Sequence, residues 1–404
     1  MGAYLDSVPM SGIIRIRDMM YGVKNPFRLD QGDVSFDAPA AVKDGMARAI
    51  AENRSHYLQT AGVPRLQEML VAKLREVNRI PVAGPEEVLV TNGGIHGLYL
   101  TWQALLEPGD EVLIPDPEWP PAVGTILSAH GVVVRYPLHA KLGWRFDLDE
   151  LAALVTPRTR VIYLNSPNNP TGGVLTRRDL EGVAALAASR GLRIVSDEAY
   201  EDVVFEGEHV SIASLAGRYD RTVSVFTFSK TYAMTGIRLG YLVVPDATVR
   251  DRLRKVLFFT TSNVCSIAQY GGIAGLEAPR AIIDGFRAEL LARRDLFYQG
   301  IDTLGGVLSG EPPRGAFYAF LRIAPDWATR ALAPIDRGAE AQRPGADDSL
   351  SWAFASYLIR CGRIGCVPGV DFGPSGEGYV RFCFAREREE LAGALASMRS
   401  LFRS

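Results

Sequence analysis

From about residue 64 to residue 275, short apolar runs rich in β-branched residues alternate with longer stretches of helical periodicity. Nothing else in the chain limits the fold as much. The runs fall at 88–91, 111–115, 132–137, 160–165, 192–196, 222–227 and 239–244, all too short for helices. Helical patterns lie between them, as at 65–78, which Pro64 opens, and at 180–189. Strands separated by helices line up in parallel, with the crossover helices laid on both faces of the sheet. The expectation is an α/β fold with a mostly parallel sheet and with its chemistry at the carboxyl ends of the strands.

Beyond residue 280 the pattern changes to longer helices at 280–304, 351–361 and 387–402, with isolated strands at 316–323 and 378–384. This reads as a smaller α+β domain, joined by the N-terminal segment. The expected division places residues 1–45 with the small domain, 46–285 in a large domain and 286–404 in the small one. Residues 326–349, rich in Ala, Pro, Asp and Arg, read as a long inserted surface loop.

With 404 residues, 47% of them hydrophobic, the chain can bury a core without a metal or disulfide staple. Lys plus Arg is 44 against 46 for Asp plus Glu, a net charge of −2 with no basic stripe, which argues against a nucleic-acid partner. No apolar run approaches the roughly 18 residues of a membrane span. Cys265, Cys361, Cys366 and Cys383 lack paired spacing and read as buried thiols in a reducing compartment. The first 18 residues hold no apolar signal core, so a cytoplasmic enzyme is expected. A P-loop, a nucleophile-elbow serine and metal-type Cys/His pairs are all missing from the sequence, and no metal is expected.

What remains is one lysine. Lys230 follows the run 222–227 and sits among the hydroxyls Thr227 and Ser229, with Arg238 eight residues on. Most lysines after a strand are simply on the surface. This one follows a buried-looking run, where an ammonium is costly unless it is paired or chemically used. A desolvated lysine amine is a good Schiff-base nucleophile, and two hydroxyls with a guanidinium make a phosphate cradle.

The segment, read as S-x-S-K-x-x-x-x-x-G-x-R-x-G-Y, resembles the lysine motif of fold type I pyridoxal-phosphate enzymes, the class I/II aminotransferases. Thr227 stands where the first Ser is usual. The resemblance extends over nearly the whole chain. Tyr57 to Leu66 is similar to Y-x-x-x-x-G-x-x-x-L-R, with Gln67 in place of the Arg, and Thr91 to His96 is similar to the phosphate loop. Asp116 to Pro120 resembles the ring-stacking segment, Asn168 to Gly172 matches N-N-P-T-G, and Asp197 to Tyr200 matches D-E-x-Y. Arg381 matches the C-terminal carboxylate arginine.

The resemblance implies a seven-stranded sheet in the large domain and pyridoxal 5′-phosphate as cofactor. It also implies ping-pong transfer of an amino group between an L-amino acid and a 2-oxo acid, in a homodimer with shared active sites. A lyase or decarboxylase on the same fold is the alternative. Lys230 would hold the cofactor and carry a proton, Asp197 would face the pyridine nitrogen, and Tyr200 with Asn169 would bond the ring oxygen. Gly93, Gly94, Ile95, Thr227, Ser229 and Arg238 would hold the phosphate, aided by Tyr57 of the neighbouring subunit, and Trp119 would stack on the ring. Arg381, Asn169 and Gly32 would bind the substrate carboxylate. The resemblance also implies cis bonds among Pro167 and Pro170. Aspartate-specific relatives resemble G-G-K where this chain has Gly93-Gly94-Ile95. Ile95, Trp119, Met10, Ile13 and Ile14 are therefore expected to form an apolar pocket that suits neutral or aromatic donors.

Overall fold

A computed structural model describes residues 3–332 and 349–402. Seven strands form one sheet: β1 (Val88–Thr91), β2 (Glu111–Asp116), β3 (Val132–Pro137), β4 (Thr159–Asn165), β5 (Arg193–Asp197), β6 (Thr222–Thr227) and β7 (Gly240–Val243). Their order is β1-β7-β6-β5-β4-β2-β3, and only β7 runs against its neighbours. Side chains on a strand alternate between faces, so a strand covered on both sides supplies two cores at once. Val112, Val161, Tyr163 and Val195 join one buried cluster with Leu98, Trp102 and Ile126; Leu113, Ile162, Leu164 and Ile194 join another with Leu180 and Val183. This is why these strands read as unbroken apolar runs.

The helix anticipated at 180–189 begins earlier, at Arg177, because Thr176 and Asp179 form a reciprocal capping box. Gly191, at φ 68°, ends it in the left-handed conformation.

A second, antiparallel sheet has the order β10-β11-β9-β8, from β8 (Leu308–Ser309), β9 (Tyr318–Ile323), β10 (Val367–Pro368) and β11 (Tyr379–Cys383). Helices Ala281–Asp302, Leu350–Gly362 and Arg388–Leu401 pack on it through Phe297, Leu358 and Leu395. The N-terminal segment is tied to this layer by backbone hydrogen bonds: Phe27 N to Arg363 O, Cys383 N to Leu29 O, and Ser35 N to Ala385 O.

Two expectations need correction. The stretch read as a surface loop from 326 begins with a helical turn, Trp327–Arg330, whose Trp327 is buried against Phe354 and Tyr357. Residues 333–348 of that segment lie outside the described residues. Among the cysteines, Cys366 and Cys383 are buried, but Cys265 is exposed. No helix among the described residues is long and apolar enough to cross a membrane.

Candidate active site

The carboxyl ends of β4, β5 and β6 lie side by side, with Asn165 opposite Asp197 and Asp197 opposite Val225. A cavity of about 300 Å³ opens there, walled on its far side by residues of the second sheet and the N-terminal segment. Lys230 sits in a helical turn, Phe228–Thr231, that starts as β6 ends, with the Thr227 side chain accepting from Ser229 N. Its amine is enclosed except toward the cavity and donates to the Gly32 carbonyl at 2.6 Å. Burial lowers its pKa to about 8, because the ammonium is stripped of water and no carboxylate is in contact with it.

One end of the cavity is shaped for an anion. Gly93, at φ 78°, caps the helix Gly94–Leu105, so that helix presents its free N-terminus to the cavity. Thr227 Oγ1 stands 2.8 Å from Ser229 Oγ, and the Arg238 guanidinium lies so near Gly93 that a Cβ there would meet Nη2. The register explains the closeness: Thr91 and Thr227 both pair with Gly240, on opposite sides of β7. A Cβ at Gly240 would come within 2.8–2.9 Å of the Gly93–Gly94 backbone, so only glycine lets the loop cross there.

Asp197, the last residue of β5, is buried and makes no ion pair among the described residues. Its Oδ2 accepts from the Tyr163 hydroxyl at 3.1 Å and its Oδ1 from Ala199 N at 3.1 Å. Burial still raises its pKa to about 6. A buried carboxylate without a cation suits a protonated ring nitrogen.

The Asn168-Asn169-Pro170-Thr171-Gly172 turn is bound by its own side chains. Asn168 Oδ1 accepts from Thr171 Oγ1 at 2.7 Å, and Asn165 Oδ1 accepts from Asn169 N at 2.9 Å. The Ser166–Pro167 and Asn169–Pro170 bonds are cis, as is Asp116–Pro117. Asn169 Nδ2 faces Tyr200, 3.4 Å from its hydroxyl, and burial pushes the Tyr200 phenol up so that it keeps its proton. Across the cavity Arg381 is 1% exposed. It donates to Asn169 Oδ1 at 3.0 Å and to the Asp30 carbonyl at 2.8 Å, makes no ion pair among the described residues, and leaves its buried Nε without a partner. A buried guanidinium without a counter-charge is prepared for an anionic guest.

Of the residues singled out from sequence, Gly32, Gly94, Ile95, Trp119, Asn169, Asp197, Tyr200, Thr227, Ser229, Lys230, Arg238 and Arg381 all line this one cavity. Tyr57 does not: it is 87% exposed, beside a separate surface depression with His56 and Asn263. The apolar pocket is smaller than expected. Ile13, in α1 (Gly12–Tyr21), lines the cavity, whereas Ile14 does not and Met10 is 71% exposed. Asn165, Thr235 and Tyr318 also line the cavity and were missed. Asn165 could have been found as the last residue of a run ending beside the turn; Tyr318 carried no signal. Gln67, where the motif has Arg, works elsewhere: it is buried, and its amide donates to the Val88 carbonyl at 2.7 Å, holding the start of β1.

A reactive lysine at the strand ends of a mostly parallel sheet, between an anion cradle and a lone buried carboxylate, defines a group-transfer enzyme of the α/β class. The chain belongs to the family described as aminotransferase class I and II, whose profile matches residues 24–398, and it is a transaminase. It is 33% identical to the aromatic-amino-acid aminotransferase 2 of Thermococcus litoralis, over 99% of this chain and 97% of that one. It is 36% identical to the aspartate/prephenate aminotransferase of Thermus thermophilus, over 91% and 88%. Among solved structures, the aspartate aminotransferase of Thermus thermophilus with maleate superposes with a TM-score of 0.87 at 32% identity, covering 99% of each chain. These relatives do not favour a lyase or decarboxylase.

Proposed function

We propose that the cavity binds pyridoxal 5′-phosphate on Lys230 and uses it to move the amino group of a neutral or aromatic L-amino acid to a 2-oxo acid. The observation that carries this is the Lys230 amine, with its pKa near 8, set between the Gly93–Arg238 cradle and the unpaired carboxylate of Asp197. When bound, the cofactor supplies a pyridinium ring that draws negative charge from the donor's Cα.

The protein's own groups do the rest. The Gly94 and Ile95 end of the helix, Thr227, Ser229 and Arg238 hold the phosphate. Asp197 keeps the ring nitrogen protonated, Trp119 covers a ring face, and Asn169 and Tyr200 donate to the ring oxygen. Arg381, with Gly32 and Asn169, fixes the substrate carboxylate, so the Cα–H bond is presented to Lys230. Released from the cofactor, the Lys230 amine takes that proton at Nζ and returns it, and tethering saves the entropy of recruiting a base. We further propose that 1–45 and 286–404 act as a small domain moving against 46–285, and that Tyr57 completes the phosphate site of a second copy in a cytoplasmic homodimer.

Among the described residues, three cations line the cavity: Lys230, Arg238 and Arg381. With each used as above, a second substrate carboxylate beside Ile95, Ile13 and Trp119 would be buried unpaired, which is costly. Relatives carry both aromatic and aspartate names, so the side-chain preference rests on this chain's own residues. Two measurements test the reading. Borohydride reduction of the protein loaded with pyridoxal phosphate should label the Lys230 peptide, and label on another lysine sinks the assignment. In a panel with one fixed oxo acid, phenylalanine, leucine and methionine should match or exceed aspartate in kcat/KM. A preference for aspartate of about tenfold, roughly 1.4 kcal/mol, overturns the substrate reading.

A further inference from the structure

Among the polar side chains in the cavity that neither the motifs nor the roles above account for is a second tyrosine. Tyr318, the first residue of β9, is buried with its hydroxyl 2.7 Å from that of Tyr200. The Arg381 guanidinium carbon lies over its ring, 4.5 Å from the centroid. It is wedged so tightly that a Cβ on Gly32 would come 2.5 Å from its hydroxyl.

A pair of hydroxyls leaves open which one donates. The neighbours decide it. A guanidinium has only N–H groups, so the oxygen of the Asn169 amide must face Arg381 and its nitrogen must face Tyr200. Asn169 thus occupies one lone pair of the Tyr200 oxygen. Both hydroxyls border the cavity, so the ring oxygen breaks the tie: if Tyr200 gave its proton to Tyr318, that oxygen, which the cofactor reading sets beside Tyr200, would lose its donor. If Tyr318 donates instead, both lone pairs of Tyr200 are taken and its own proton turns to the cavity. We propose that Tyr318 is a positioning residue: it donates to Tyr200 and so aims the Tyr200 proton at the ring oxygen of pyridoxal phosphate. The inference rests on the cofactor reading above. A donor that itself accepts a hydrogen bond is polarised and becomes a stronger donor.

The test uses the full-length protein loaded with pyridoxal phosphate and reads the pH midpoint of its visible absorption band. A strong donor at the ring oxygen favours the ionised oxygen, so the bound group loses its proton at lower pH. Tyr318→Phe keeps the ring over Arg381 and removes only the hydroxyl. Its midpoint should rise by about half a pH unit. Tyr200→Phe should raise it further, and the double variant should match Tyr200→Phe alone, because Tyr318 acts only through that hydroxyl. An unmoved midpoint in Tyr318→Phe, or a shift of equal size in the Tyr200→Phe background, overturns the inference and leaves the cofactor reading standing. No visible band in the unsubstituted protein overturns both.

Discussion

At the scale of single residues, the site brings the ionisation of two groups close to neutral pH. Lys230 has its pKa lowered to about 8 by burial, and only the neutral amine attacks an aldehyde. Cofactor-free protein should therefore take up pyridoxal phosphate about tenfold faster per pH unit up to about pH 8, then level off. A rate still climbing at pH 10, read by stopped-flow absorbance, would contradict the assignment. Asp197 has its pKa raised from 3.8 to about 6, so the folded chain holds that proton to higher pH than the unfolded chain does. Stability is then lost as pH rises through about 6, and at pH 7 to 8 the empty site carries the cost of a buried anion. Asp197→Asn should raise the melting midpoint of cofactor-free protein there, by about 1–2 kcal/mol of stability, while cofactor affinity and turnover collapse. A lower midpoint than that of the parent protein would show that Asp197 stabilises the empty fold. Both residues were legible because each follows an apolar run in a recognisable spacing. Tyr318 was not, since only the pairing of β9 with β11 and the closure of the second sheet over the cavity bring it to Tyr200.

At the scale of elements, the seven strands of the large sheet were legible to within a residue at either end, because burial on both faces forces unbroken apolar runs. By contrast, β9 starts two residues later than the run at 316, and the two-residue strands β8 and β10 gave no signal. The helices were less sharp where side-chain capping rather than periodicity sets the start, as at Thr176. The misread stretch at 326–332 shows the opposite failure. A single Trp327, buried against Phe354 and Tyr357, anchors a helical turn whose composition otherwise looks like loop. The elements that form the anion cradle depend on glycine for reasons only the structure supplies. Gly93→Ala would place an L residue at φ 78° and push a methyl group into Arg238. The backbone strain costs on the order of 1–2 kcal/mol. The displaced guanidinium should weaken pyridoxal phosphate binding by about tenfold or more, as expected for one disturbed charge-assisted contact. Gly109→Ala is the control: φ is 92° there, but nothing lies within 4 Å of the added methyl. It should lose a similar amount of stability and no affinity. Equal losses of affinity in the two variants, measured by titration, would mean that strain alone and not the clash disturbs the cradle.

At the scale of the whole molecule, the cavity is a joint product of both sheets. β4, β5 and β6 bring Asn165, Asp197 and Thr227, while β9, β11 and the N-terminal segment bring Tyr318, Arg381 and Gly32 from residues distant in sequence. Composition and periodicity foretold the two kinds of layer but not their meeting. The order of motifs along the chain foretold most of the residues that line the cavity but not their distances. Tyr57 is the residue that a single chain leaves without a role. It stands 87% exposed, on a surface that also exposes Phe258 and Phe259 beside the nearby 59–61 segment, and it is absent from the cavity of its own chain. In a two-fold assembly each copy offers the same patch, so a residue useless to its own site can serve the other. On the proposed arrangement, Lys230→Ala would destroy a chain's own site and leave its Tyr57 intact, while Tyr57→Phe would damage only the neighbour's site. A hybrid of the two variants then holds one site with both groups present. Random re-pairing of equal amounts makes half the dimers hybrid, so activity should recover to about a quarter of the unsubstituted level. If Tyr57→Phe is impaired alone and mixing under verified subunit exchange restores nothing, the active site is not shared between copies.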